Sequence, residues 1–144
     1  MSQHSQYPPV IDPALVGSYP AAVKAGGGYV WDAVLEYRVW CHPELGAPDE
    51  ENGNDYFYAF ATCLEAYEFS QGMEGADAPL ALILQEEYID EPKPGQYIHV
   101  KEQRMTEWPV EFLRRPKRSR DTIRDFMDPN APPNRLDILR GLAT

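Results

Sequence analysis

Two cysteines and one of the three histidines are the residues of this 144-residue chain whose types could support covalent chemistry. Cys41 or Cys63 could act as a nucleophile with His99 as its general base, because a base beside a thiol generates the reactive thiolate. A buried cysteine, however, more often serves as a small hydrophobic residue. Cys41 and His99 are therefore candidate catalytic residues only if the chain is an enzyme.

Acidic side chains offer a second kind of chemistry. Four of them could converge on one face of a sheet: Asp32, Glu36, Glu86 and Glu87. Paired carboxylates in different environments can divide the work of a general acid and a general base. Glu86 thus joins the catalytic candidates, although a solvated sheet face explains the same four residues equally well.

Soft metal ligands are present but poorly spaced for one ion. They are Cys41, His42, Cys63 and His99. Structural zinc sites usually pair their ligands at short spacing, as in C-x-x-C. The close pair here is Cys41 with His42, and neighbours on a strand point to opposite faces of the sheet. The sequence therefore predicts no metal site.

Two stretches could contact an anion. The run Gly26–Gly28 lacks the Lys-Ser/Thr ending of a P-loop and precedes a strand, so it predicts a flexible hinge. Further along, a basic block supplies five candidate anion contacts: Arg114, Arg115, Lys117, Arg118 and Arg120. No aromatic side chain interleaves with this block to stack bases, which argues against nucleic acid. A solvated or internally paired linker is the alternative interpretation.

The formal net charge of −10 is unevenly distributed. Residues 1–92 contain two basic and sixteen acidic residues, whereas residues 93–144 contain eleven basic and seven acidic ones. An acidic body of this kind would be repelled by nucleic acid. Two cysteines and a polar N-terminal stretch favour a cytoplasmic location, and no apolar run approaches the length of a membrane span.

The periodicity predicts the elements that must position these residues. The predicted strands are Tyr29–His42, Tyr56–Ala61, Leu80–Ile89 and Gln96–Met105. Between the second and third strands, Thr62 and Glu65 form a capping box that should start a helix. The order β-β-α-β-β indicates an α+β fold, a four-stranded antiparallel sheet with one main helix packed on a face.

Composition divides the chain into three parts. Residues 1–28 are expected to form an extended N-terminal arm, and residues 29–113 are expected to form the α+β core domain. Residues 114–144 are expected to form a basic, proline-rich C-terminal tail with a short terminal helix. A small open sheet of this type often completes its core by forming a homodimer.

Three stretches carry a resemblance to a known group: residues 26–44, 88–92 and 108–113. In them the chain resembles small bacterial proteins that are often labelled as GNAT-type N-acetyltransferases. The resemblance implies acetyl-CoA as a cofactor, bound by a turn reading Q/R-x-x-G-x-G/A between a strand and a helix. The nearest stretch, residues 71–76, has Glu74 in place of the first glycine and follows a predicted helix. The acetyl-CoA motif is thus not found, and no cofactor-binding residue is assigned.

The sequence favours a non-catalytic module that binds another protein or forms a homodimer, without a cofactor. The first alternative is a GNAT-like N-acetyltransferase that uses acetyl-CoA, which rests on the resemblance. The second is a nucleic-acid accessory factor that acts through the basic tail.

Overall fold

A five-stranded mixed sheet is the main element of the computed structural model, which describes residues 3–144. Its strands are β1 (Lys24–Ala25), β2 (Ala33–Cys41), β3 (Tyr56–Phe60), β4 (Leu80–Gln85) and β7 (Arg104–Pro109). They lie in the order β1-β7-β4-β2-β3, and all neighbours are antiparallel except β1 with β7. A separate hairpin is formed by β5 (Tyr88–Lys93) and β6 (Gln96–Val100).

Three short helices complete the fold. They are α1 (Cys63–Gln71), α2 (Thr122–Met127) and α3 (Arg135–Leu139). Single 3₁₀ turns occupy Gln3–Gln6, Pro13–Leu15, Pro43–Leu45 and Val110–Arg114. The part of the chain that the structure describes contains no helix with the length and apolar character needed to cross a bilayer.

Helix α1 begins at the capping box. The Oγ1 atom of Thr62 accepts a 3.2 Å hydrogen bond from the Glu65 N–H and donates one of 2.9 Å to the Glu65 carboxylate. From this start, helical spacing buries Cys63, Ala66 and Ser70. The helix packs on the sheet face that carries the fully buried Tyr37, and it closes the main hydrophobic core.

The α+β class is confirmed, but the predicted sheet of four antiparallel strands in β-β-α-β-β order is wrong. Each of the last two predicted strands breaks into two shorter ones, because β4 ends at Gln85 and β6 ends at Val100. At the first break the Asp32 carboxylate accepts a 2.7 Å hydrogen bond from the N–H of Glu86. The charged and polar residues at the two breaks, 86–87 and 101–103, also suit the solvent-exposed end of a longer strand, so the sequence pattern does not reveal the separate hairpin.

The N-terminal arm lies along the sheet. Residues 1 and 2 of the predicted arm are outside the described residues. Further along, Lys24 and Ala25 pair in parallel with β7. The carbonyl oxygen of Pro20 accepts a 2.6 Å hydrogen bond from the guanidinium of Arg38, and Gly17 N–H donates to Glu36 at 2.8 Å. The arm thereby covers a sheet face with buried charges.

A second hydrophobic core involves the C-terminal tail. The buried residues of this core are Val30, Ile89, Ile123, Phe126 and Leu139. The last three belong to α2 and α3, so both tail helices are packed against the β5–β6 hairpin and the segment before β2. The basic block of the tail therefore lies between segments of the chain that pack in the main hydrophobic core and in the second one.

Candidate anion-binding site

A polar cleft of about 330 Å³ opens where the glycine run meets the β5–β6 hairpin. It is lined by Gly26–Tyr29, Ile89–Glu91, Arg104, Phe112 and Arg115. We refer to it as the arginine cleft. Its walls come from four distant parts of the chain, which the sheet and the tail bring together.

The glycine run forms the floor of the arginine cleft in a backbone conformation that suits glycine. Gly26, Gly27 and Gly28 have φ angles of 75°, 84° and 83°. A Cβ atom on Gly28 would collide with the amide of Gln85 and would lie 2.7 Å from Nη2 of Arg104. Glycine at this position therefore allows two polar side chains to approach the backbone closely.

Gln85 fixes the glycine run to the sheet. Its side chain is fully buried, and Nε2 donates to the carbonyl oxygens of Gly27 at 3.1 Å and Val30 at 2.8 Å. The indole N–H of Trp108 donates to the same Gly27 oxygen at 2.9 Å. Oε1 of Gln85 accepts a 2.6 Å hydrogen bond from Nε of Arg104. One amide thus positions both the floor of the cleft and an arginine in its wall.

Arg104 is held by groups that leave its charge uncompensated. The register of β4 with β7 places it opposite Gln85, and its guanidinium lies 3.9 Å from the centroid of the Tyr88 ring. Among residues 3–144 no carboxylate forms an ion pair with it. Stacking and one hydrogen bond therefore orient the guanidinium and leave its remaining N–H groups for another acceptor.

Arg115 is the second cation of the cleft. Its guanidinium lies 4.3 Å from the Phe112 ring centroid and 5.0 Å from that of Trp108, and Nη1 donates to the Tyr29 carbonyl at 3.4 Å. Burial, followed by the nearby charge of Arg140, lowers its pKa. Like Arg104, it has no ion-pair partner within the described residues.

Arg140 adds positive charge behind the wall. Its guanidinium lies 5.9 Å from the Tyr29 ring centroid, and its buried Nε atom has no hydrogen-bond partner among residues 3–144. A buried donor that is left unpaired carries a desolvation penalty. Two guanidinium groups thus line the cavity, and that of Arg140 lies behind its Tyr29 wall.

Two acidic residues, Asp90 and Glu91, also line the cleft, and the carboxylate oxygens of Glu91 already have partners. One oxygen accepts a hydrogen bond from the Tyr29 hydroxyl, and the other accepts from the Gly95 N–H at 2.8 Å. The bond from Tyr29 lowers the pKa of Glu91, whereas burial and the same bond raise the pKa of Tyr29 to about 12. Glu91 therefore orders one wall of the cleft without pairing with the arginines.

The five basic residues that the sequence singled out are placed very differently. Arg115 lines the arginine cleft, whereas Arg114 and Lys117 are exposed. The Arg120 side chain is 95 % exposed. The fifth, Arg118, is paired through Nε with Asp32 at 2.8 Å and through Nη1 with Glu87 at 3.6 Å. The block is therefore not one continuous cationic surface.

Cys41 does not come together with the other two candidate catalytic residues, His99 and Glu86. Cys41 is fully buried at one end of β2, about 26 Å by strand length from Ala33 at the hairpin end. His99 lies on β6, with Nε2 3.0 Å from the Glu87 carboxylate. Glu86 is exposed, and its N–H is bonded to Asp32. Of the four acidic residues, Asp32 and Glu87 share Arg118, and Glu86 is bonded to Asp32, so these three lie together. Glu36 is separate, because it pairs with Arg38 at 2.7 Å.

Both thiols are poorly suited to nucleophilic attack. Burial raises the pKa of the Cys41 thiol, and it raises the pKa of Cys63 to about 12. The thiolate is the reactive form, so a raised pKa lowers the reactive population. The helix N-terminus at Cys63 does not offset the effect of burial.

The three stretches that carry the resemblance each contribute to the arginine cleft, through Gly26–Tyr29, Ile89–Glu91 and Phe112. The stretch compared with an acetyl-CoA turn lies elsewhere. It follows α1, and a Cβ atom on its Gly75 would lie 2.8 Å from the His42 carbonyl oxygen, so this turn is filled by packing. Comparison with protein families, curated proteins and solved structures finds no match for the chain.

Proposed function

We propose that this chain is a non-catalytic binding module that holds an anionic group of a partner protein, a carboxylate or a phosphate, in the arginine cleft. The observation that carries the proposal is that Arg104 and Arg115 line one cavity without a carboxylate partner among residues 3–144. A partly buried charge without a counter-ion is costly, and a bound anion would supply the counter-ion. The planar guanidinium group matches both anions through paired hydrogen bonds.

The backbone adds donors of the same kind. The N–H groups of Gly27 and Tyr29 donate to no acceptor among residues 3–144. Backbone N–H groups that lack an acceptor within the protein can bind an anion when they converge on it. Together with the two guanidinium groups, they favour a compact anionic group over a neutral one.

The charge of the whole chain favours a single anionic group on a protein over a polyanion. Residues 1–92 carry sixteen acidic and two basic residues, and a nucleic acid would meet this negative field over a long surface. One side chain or one chain terminus would meet only the cleft. Phe112, 37 % exposed at the rim, offers an apolar contact for the residues beside that anion. The partner is another protein or a second copy of this chain.

A peptide array tests the proposal with full-length protein. Matched peptides carry glutamate, phosphoserine or glutamine at one central position, and they are also presented with a free or an amidated C-terminus. We expect binding of anionic peptides and loss of that binding in Arg115→Gln by at least tenfold. Arg114→Gln, the matched control, removes the same charge from the exposed neighbour and should stay within twofold of the parent chain. Equal binding of glutamine peptides, or no effect of Arg115→Gln, would overturn the proposal.

Two competing ligands distinguish the alternatives in the same experiment. Acetyl-CoA with an amine acceptor tests acetyl transfer, and acetylated product would replace the binding module with an N-acetyltransferase. A single-stranded RNA oligonucleotide tests the exposed Arg114, Lys117 and Arg120; binding that disappears in moderate salt and in a variant lacking these charges would favour a nucleic-acid accessory factor. Light scattering of the chain alone then separates a second copy from another partner.

A further inference from the structure

A second cluster of polar side chains lies at the opposite end of β2 and does not depend on the arginine cleft. Cys41 pairs with Tyr56, so the next residues along the two antiparallel strands, His42 and Asp55, come opposite each other. The segment after α1 forms an isolated bridge on the other side of β2, and this bridge brings Asp77 alongside. Asp55 is thus directly opposite His42, whereas Asp77 lies opposite Trp40 and reaches the imidazole from this diagonal position.

The distances within this cluster are short. Nδ1 of His42 lies 3.0 Å from Oδ1 of Asp55, and Nε2 lies 2.7 Å from Oδ2 of Asp77. The 3₁₀ turn Pro43–Leu45 then returns the Glu44 carboxylate toward the ring. One ligand atom each from His42, Glu44 and Asp55 lies within 4.8 Å of the other two.

We propose that His42, Glu44 and Asp55 form a binding site for a divalent transition-metal cation of the zinc type. One imidazole nitrogen and two carboxylate oxygens are a donor set that zinc accepts in proteins, with water completing the coordination. Ligand atoms at about 2.1 Å from one ion lie roughly 3 to 3.5 Å apart, so small side-chain adjustments bring the three atoms onto one ion.

Asp77 supplies the outer partner that such a site needs. A histidine that binds a metal usually gives its other ring N–H to a carboxylate, which fixes the tautomer and the ring orientation. Here Asp77 is placed to accept the proton of Nε2, and this leaves the lone pair of Nδ1 for the ion between His42, Glu44 and Asp55. Asp77 is thus a positioning residue.

The local charge also favours a cation. Glu44, Asp55 and Asp77 surround one imidazole, and no lysine or arginine pairs with any of them within residues 3–144. The thiol of Cys41 next to the cluster is buried and directed to the Val39 carbonyl at 3.7 Å. The site therefore uses nitrogen and oxygen ligands, unlike the cysteine-based set that the sequence argued against.

Calorimetric titration of the metal-free full chain with zinc chloride tests the site. We expect one saturable site per chain and at least tenfold weaker binding in both Glu44→Gln and Asp55→Asn. Glu51→Gln is the matched control, because Glu51 is an exposed residue of the same loop and the variant removes the same charge. Its affinity should stay within twofold of the parent chain. No saturable binding, or equal weakening by Glu51→Gln, would show only diffuse attraction and would overturn the proposal.

Nitrogen-15 NMR of the imidazole adds a readout that a purely structural role would not move. Zinc should shift Nδ1 of His42 while Nε2 keeps its proton. Asp77→Ala should weaken zinc binding by about tenfold and move the metal-free ring toward the tautomer protonated at Nδ1. Coordination through Nε2, or an unchanged tautomer in Asp77→Ala, would contradict the assigned geometry.

Discussion

Nε of Arg104 donates a 2.6 Å hydrogen bond to Oε1 of Gln85, and Nε2 of Gln85 donates in turn to the carbonyl oxygens of Gly27 and Val30. This chain of bonds ties an arginine of the cleft to the backbone of the glycine run. A change in the arginine should therefore alter the glycine run, and a change in the glycine run should alter the arginine. The conformation of the glycine run and the position of the arginine charge in the cleft wall are thus coupled.

The close approach at Gly28 predicts a specific cost for a methyl group. Gly28→Ala should destabilise the protein by about 2 to 4 kcal/mol, because a positive φ costs alanine about 1 kcal/mol and the clash with Gln85 adds to it. Gly53→Ala is the control, since Gly53 has the same φ of 83° and no atom within 4 Å of the new Cβ. Urea unfolding should show that the control lowers the free energy of unfolding by about 1 kcal/mol. Equal losses of stability in the two variants would mean that Gln85 does not restrict the space at the glycine run.

The buried ion pair under the arm predicts a non-additive pair of substitutions. Arg38→Met should cost about 3 to 5 kcal/mol, because it leaves the fully buried Glu36 carboxylate without its cation. The double variant Glu36→Gln with Arg38→Met should be more stable than Arg38→Met alone. A double-mutant cycle by urea denaturation measures the coupling. Strictly additive losses would show that the two side chains do not compensate each other.

The two thiols should be protected in the folded chain. Cys41 and Cys63 are buried, and burial raises the pKa of Cys63 to about 12. At pH 8 the thiolate fraction of Cys63 is therefore lower by roughly three orders of magnitude than for a free cysteine. Reaction with a disulfide reagent should be slow in buffer and fast in urea, with two thiols titrated. Rapid modification of either cysteine in the folded chain would contradict the structure.

The second core predicts that the tail contributes to the stability of the whole chain. Phe126 is 4 % exposed and packs edge-on against Tyr97, so Phe126→Ala should cost about 3 to 5 kcal/mol. Leu142→Ala is the control because Leu142 is 74 % exposed, and its effect should stay within about 0.5 kcal/mol. Thermal unfolding measures both. A loss below 1 kcal/mol for Phe126→Ala would mean that the tail is not anchored through α2.

Local patterns predicted the elements that depend on local contacts. Alternation predicted β2, the short aromatic run predicted β3, and the Thr62 capping box predicted the start of α1, because these signals come from residues a few positions apart. The breaks after β4 and β6 escaped prediction because the polar residues there also fit the solvent-exposed end of a longer strand. The burial of Glu36 and Arg38 was also missed, since a segment about 17 residues earlier in the chain covers them.

The arginine cleft was only partly visible in the sequence. The glycine run and Arg115 were noted, but as a hinge and as one member of a basic block. Gln85 lies 58 positions from Gly27 and had no local signal, and Arg104 had no neighbour that suggested a role. The register of β4 with β7 brings these two together. Such partners follow from strand pairing, which single-sequence periodicity does not specify.

Two-dimensional NMR of the nitrogen-15-labelled full chain, titrated with inorganic phosphate at constant ionic strength, tests the central claim most directly. We expect saturable shifts of the amides of residues 26–29 and of the Nε signals of Arg104 and Arg115, with the Gly53 amide unmoved. The response should be abolished in Arg115→Gln and kept in Arg114→Gln. Shifts that do not saturate, that centre on the exposed basic block, or that persist unchanged in Arg115→Gln would contradict it.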